Sequence, residues 1–149
     1  MTEIRSPRPK TDRREVIVQV VSSSDMETRR GPGEWFTGDI WLESASVPPP
    51  GAGLFRVLFE PGARTNWHTH PEGQFLYVVT GAGRAQREGE PVAEIEAGDL
   101  VYFAPDERHW HGAGPDTFMV HIAISPALNT DGQTDWMEPV TDEQYAGDG

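Results

Sequence analysis

This 149-residue sequence predicts an all-β fold, an antiparallel barrel or jelly roll, on three observations. Short runs rich in β-branched and aromatic residues recur through its second half. Glycine and proline clusters break those runs at regular intervals. The histidines form two His-x-His pairs, and alternate residues of a strand share one face. A sheet of many short antiparallel strands hides its edges best by closing on itself, so closure is expected.

Residues 1–14 are polar, basic and proline-containing, which reads as a disordered lead. Residues 15–21 alternate well enough for an edge or exchanged strand. Gly31-Pro32-Gly33 is a turn, residues 35–42 are aromatic and β-favouring, and residues 46–53, with Pro48-Pro49-Pro50, form a loop. Strands are then expected over 54–60, 65–70, 74–80, 83–88, 92–96, 100–104, 108–113 and 117–125. The breaks are Pro61-Gly62, Pro71-Glu72-Gly73, Gly81, Gly89-Glu90-Pro91, Gly98-Asp99, Pro105-Asp106 and Gly114-Pro115. Residues 126–149 are acidic and read as weakly structured, with Trp136 and Met137 docking back. One domain is expected over 15–130, its motif core over 54–125, with an acidic tail over 131–149.

Composition narrows the function. A net charge of −12 disfavours nucleic acid as a partner, because phosphate-backbone binding needs a positive surface. The absence of cysteine removes disulfides, thiolate zinc sites and a thiol nucleophile. Arg5, Arg8, Lys10, Arg13 and Arg14 precede an apolar stretch, 16–21, too short and interrupted for a signal-peptide core. Nothing reaches the length of a membrane span. The expectation is a soluble cytoplasmic protein whose partner is a small molecule.

All five histidines fall between positions 68 and 121, as His68-Thr69-His70, His109-Trp110-His111 and a single His121 in an apolar run. Each pair would present two imidazoles to one side, about 6.5 to 7 Å apart at the backbone. Neutral imidazoles bind metal ions readily, and two such pairs point to a shared metal site. With the histidine faces inward, Asn66, His68 and His70 share a face, and Gln74, Leu76 and Val78 form the next inward set. His109 and His111 follow from a later strand; Met119, His121 and Ala123 line the wall after it. His68, His70, Gln74 and His109 can converge on one divalent ion. His121, alone on an apolar strand, reads by itself as a buried core histidine.

These spacings resemble those of the cupin family. Gly62, five residues, His68-x-His70, three residues, Gln74, six residues and Gly81 follow the first cupin motif, whose fourth ligand is usually Glu. His109 lies eleven residues after Gly98, as the second motif requires. The motif's proline sits one place late, at Pro105, and Ala113 replaces its closing Asn. The segments Glu34-Trp35-Phe36-Thr37-Gly38, Phe59-Glu60-Pro61-Gly62-Ala63-Arg64-Thr65, Ala85-Gln86-Arg87-Glu88-Gly89, His109-Trp110-His111-Gly112-Ala113 and Asp135-Trp136-Met137-Glu138 are similar to the bacterial cupin hydroxynitrile lyases. That resemblance implies manganese held by His68, His70, His109 and Gln74, with Fe2+, Zn2+, Ni2+ or Co2+ as other candidates. It also implies substrate-facing catalytic roles for His111 and His121.

A neutral Gln in place of Glu leaves the bound ion one charge unit more positive, a difference of about 4 kcal/mol at about 4 Å and an effective dielectric near 20. With four protein ligands a six-coordinate ion keeps two open positions, which suits catalysis. The expected reaction is cleavage of a small cyanohydrin to an aldehyde or ketone and cyanide, with His111 or His121 moving the proton. Phe55, Val57, Leu76, Met119 and Ala123 are the expected substrate pocket. The resembled lyases carry a smaller residue at Phe55, so this ring would narrow it. An Fe(II) dioxygenase and a non-enzymatic ligand- or metal-binding module are the rival readings. Arg64, Glu60, Arg87 and Tyr77 read as rim or interface residues. A homodimer or higher homo-oligomer is expected, since the aromatic N-terminal segment offers a sheet edge to cover.

Overall fold

The computed structural model describes residues 18–46, 52–126 and 134–148, and among these the chain is almost entirely antiparallel sheet. The first sheet orders β1 (Arg29–Arg30), β3 (Ile40–Ser46), β4 (Ala52–Phe59), β11 (Met119–Pro126), the first half of β7 (Gln74–Arg87) and β9 (Leu100–Phe103). The second sheet carries β8 (Ala93–Glu96), the other half of β7, β10 (His109–Ala113), β5 (Arg64–Thr65) and β2 (Phe36–Thr37). There β6 (His68–Thr69) pairs with β10 and with β12 (Asp135–Trp136).

Two strands expected on either side of Gly81 are therefore one. β7 belongs to both sheets: residues 74–81 pair with β9 and β11, and residues 82–87 with β8 and β10. Gly81 marks the corner. Its φ is +81°, and a Cβ there would lie 2.0 Å from the Phe118 carbonyl oxygen, so no other residue fits. The register between β7 and β11 also slips at Val120/His121, so that His121 faces Val78 and Val120 faces Thr80. This bulge places Val79 and Thr80 consecutively on the exposed side while Val78 and His121 stay inside.

Alternation fills the interior. Gln74, Leu76 and Val78 are buried while Phe75, Tyr77 and Val79 are exposed, and Val57, Phe59, Met119 and Ala123 pack from the neighbouring strands. Outside this core, the first sheet presents Trp41, Tyr77, Phe75, Leu100, Tyr102 and Ile124, interrupted by an Arg56–Glu43 ion pair at 2.9 Å. Among the described residues, no helix is long and apolar enough to cross a membrane.

A second apolar cluster, Trp67, Trp110, Val140 and Tyr145, forms where the C-terminal segment crosses the second sheet. That segment is better ordered than its acidity suggests. It ends in a helix, α1 (Asp142–Ala146), whose Thr141/Gln144 capping box and left-handed Gly147 supply both termini. Tyr145 donates its hydroxyl to the Ala113 carbonyl at 2.5 Å. Arg64, expected at a rim, is buried instead: it lies over the Tyr145 ring, donates to the Val140 carbonyl and pairs with Asp142 at 2.8 Å. The strand expected over 15–21 falls partly outside the described residues. Its described part, 18–21, is not strand, because no neighbouring strand pairs with it; Val18 and Val20 stand exposed. The expected strand over 65–70 is two short pieces, β5 and β6.

Candidate metal centre and active site

The two histidine pairs meet because β6 and β10 are paired in register, His68 opposite His109. The following turn adds a second tie. The His70 carbonyl accepts from the Gly73 N–H at 3.1 Å and from the Asp106 N–H at 2.9 Å. The turn after the first pair is thus locked to the turn before the second.

All five histidines are buried, as is Gln74. The ligand-capable nitrogens of His68, His109 and His111 lie within 4.8 Å of one another. His70 borders this trio, with ring centroids 4.9 Å from His68 and 5.5 Å from His109. His68 donates from Nδ1 to the Asn66 carbonyl at 2.8 Å, and His109 from Nδ1 to the Glu107 carbonyl at 2.7 Å, when each is the tautomer that frees Nε2. Buried and without a hydrogen-bond partner are Nε2 of His70, His109 and His111 and Oε1 of Gln74. Orphaned lone pairs of this kind are costly in a protein interior unless something binds them. Neutral imidazoles and an amide oxygen form a donor set that fits a first-row divalent cation.

Burial keeps these rings neutral. Desolvation, helped by neighbouring His109 and His70, holds His68 well below its ordinary range. Burial lowers His70 to about 4, against the upward pull of the neighbouring Gln74 amide, and lowers His109 to about 3. The neutral form is the one that ligates.

His111 and His121 are arranged differently. His121 Nε2 and His111 Nδ1 are 3.0 Å apart, so one donates to the other. Phe59 packs against both, with centroids 5.9 Å from His111 and 5.1 Å from His121. Burial lowers His121 to about 4; burial and the facing His121 hold His111 well below its ordinary range. The His111 N–H is fixed by the Thr65 hydroxyl at 3.2 Å. His121 is therefore buried, but its hydrogen-bond partner is another imidazole.

Of the expected pocket residues, Val57, Leu76, Met119 and Ala123 are buried, and Val57 lies opposite His121 on the neighbouring strand. Phe55 shares their face in the middle of β4, opposite Ala123 and Ser44, but is 39% exposed, so it stands at a rim. Trp136, expected to dock back, does so 4.7 Å from His68. Two contributors escaped the sequence reading: Phe103 stacks on His109 at 3.6 Å, and Thr134 Oγ1 is 3.2 Å from His70 Nδ1. The Asn66 and Glu107 carbonyls had a usable signal, since each sits two residues before the first histidine of a pair.

Residues 55–124 match the cupin domain family. The chain is 56% identical over 120 residues to an (R)-mandelonitrile lyase of Granulicella tundricola, spanning 78% of this chain and 89% of that protein. The chain belongs to the cupin family. Among solved structures, this cupin superposes on a cupin-like protein of Thermotoga maritima with a TM-score of 0.73 and 40% identity, over 78% of this chain and 89% of that one. A cupin 2 conserved barrel domain protein of Rhodopseudomonas palustris shares the fold at a TM-score of 0.64, with 15% identity over 74% and 77% of the two chains.

Proposed function

We propose that this cupin is a hydroxynitrile lyase that cleaves small cyanohydrins, mandelonitrile among them, to a carbonyl compound and hydrogen cyanide. The observation that carries the reading is the 56% identity to an (R)-mandelonitrile lyase over most of both chains. The site supports it with a donor cluster and a separate histidine pair in one interior. His68, His70, Gln74 and His109 would hold the divalent ion, manganese by the likeness to the cupin lyases. The ion would supply Lewis acidity toward the substrate oxygen or nitrile.

The remaining chemistry belongs to the chain. His111 offers Nε2, unpartnered and buried, to the substrate hydroxyl. As that nitrogen takes the proton, the oxygen electron pair forms the carbonyl, the carbon–carbon bond to the nitrile breaks, and the bonding pair leaves as cyanide. The imidazolium then returns the proton to cyanide. His121, hydrogen-bonded to the opposite nitrogen of His111, selects the tautomer with Nε2 free when it accepts from Nδ1. Val57, Leu76, Met119 and Ala123 keep water away from the reacting groups.

The test is anaerobic cyanide release from mandelonitrile and acetone cyanohydrin by metal-loaded protein. Release above that of free metal in buffer supports the lyase; oxygen uptake with a phenol or diketone and no cyanide would replace it with a dioxygenase.

The partner for the outer face of the first sheet is a second copy. The chain repels its like through a net charge of −12, yet this face carries Arg56 and Glu43 paired with each other and is locally neutral. Its apolar residues and the ion pair lie on five of the six strands, β3, β4, β11, β7 and β9, about 20 Å across at ~4.8 Å per strand, a scale suited to the ~800 Å² per partner of a stable interface. Sedimentation of wild type and Tyr77→Lys should give a dimer and a monomer respectively.

A further inference from the structure

Every histidine that ligates through Nε2 must place its Nδ1 proton somewhere, and the partner at Nδ1 fixes both tautomer and ring orientation. His68 and His109 solve this locally, each through a main-chain carbonyl two residues before it. His70 reaches the Thr134 hydroxyl at 3.2 Å, 64 residues away in the sequence.

We propose that Thr134 is a positioning residue for His70, accepting its Nδ1 proton so that the Nε2 lone pair faces the ion. The proposal rests on the ligand set given above. The orphaned, buried Nε2 of His70 is the atom this arrangement frees. A hydroxyl can also donate to Nδ1, which would leave the proton on Nε2 and block ligation; loading therefore selects the orientation in which Thr134 accepts.

The hydroxyl is held there by the C-terminal segment. β12 pairs with β6, Asp135 opposite Thr69 and Trp136 opposite His68. The Met137 N–H donates to the Trp67 carbonyl at 2.8 Å and the Trp67 N–H to the Glu138 carbonyl at 3.0 Å. The Trp136 ring stacks on Trp35 at 5.3 Å. The Nδ1 partner of His70 thus comes from a segment distant in sequence, whereas those of His68 and His109 lie two residues away.

The experiment compares wild type, Thr134→Val, Thr134→Ser and His70→Ala by chelator competition with Mn2+ and Zn2+, alongside melting of the metal-free proteins. Thr134→Val keeps the side-chain shape and should weaken both metals by about 10- to 100-fold with unchanged metal-free melting. Thr134→Ser should retain wild-type affinity. In zinc-loaded wild type, nitrogen NMR of labelled histidine should show His70 protonated at Nδ1; this needs no variant to fold, and an Nε2 proton there overturns the proposal. Wild-type affinity in Thr134→Val with loss in His70→Ala overturns Thr134 alone. Wild-type affinity in His70→Ala overturns the ligand set and the proposal with it. Equal loss in Ser and Val reduces Thr134 to a packing residue and also overturns it.

Discussion

Two groups of histidines share one interior and differ in what holds their Nδ1 atoms. His68 and His109 give it to the main chain and His70 to Thr134, fixed acceptors that leave Nε2 available. His111 gives its Nδ1 to the Nε2 of His121, whose own Nδ1 is buried without a partner. A fixed acceptor defines a ligand, because the ring cannot exchange tautomers without losing its bond. A paired imidazole can pass a proton across the shared hydrogen bond, which is what an acid/base residue requires.

The largest effect should come from crossing the groups. His109→Ala should strip the metal, with a loss beyond the ~10- to 100-fold typical of removing an outer partner. The barrel should remain, since its apolar core does not depend on the ion. Elemental analysis with circular dichroism checks this, and full occupancy in a folded variant would remove His109 from the ligand set. His121→Ala should show the converse, full metal with turnover reduced by about 10² to 10⁴. Metal loss in His121→Ala, or undiminished turnover, would erase the distinction between the groups.

Much of this site was legible in the sequence, because period-two alternation survives the fold. Histidines two apart, at β6 and just past its end and again on β10, and the inward set from Gln74, needed only extended-chain geometry. Gly81 misled because a glycine at a turn and a glycine at a barrel corner look the same in sequence; only the pairing of β7 with two sheets separates them. α1 escaped because five residues are too few to show a helical period. Arg64 and Thr134 escaped because their roles depend on where the C-terminal segment lies.

Acid should unmake both groups. His70 and His121 are each held near 4 by burial, below the ordinary 6.5. The unfolded chain therefore takes up protons first as pH falls. Stability from these groups is complete above about 6.5 and is lost as pH falls toward 4. Melting of the metal-free protein should drop steadily across that window. His121→Asn should flatten the dependence; an unchanged slope would mean that His121 titrates normally.

A smaller effect should follow Gln74→Glu. The Gln74 oxygen is buried and unpartnered beside His70. A carboxylate there should hold the ion at least as tightly but lower its electrophilicity, reducing cyanide release while metal content stays full. Equal or faster turnover at equal occupancy would mean that the neutral fourth ligand does not matter to the reaction.

The smallest effect is expected at Phe55, where the two histidine groups are not touched. The ring stands in the middle of β4, on the face of Val57 and opposite Ala123, while Phe59, two positions beyond Val57, packs on His111 and His121. Truncating Phe55 should leave both metal content and proton transfer intact and change only the room available to a large substituent. Phe55→Ala should therefore raise kcat/KM for mandelonitrile, chiefly through KM, while acetone cyanohydrin changes little. Because the ring is 39% exposed, the gain should be only a few-fold, below the about 1–3 kcal/mol that a change of one methylene in an enclosed pocket produces. An equal change for both substrates would place Phe55 outside the path of the substituent, and a fall in kcat would show that the rim orders the histidine pair as well.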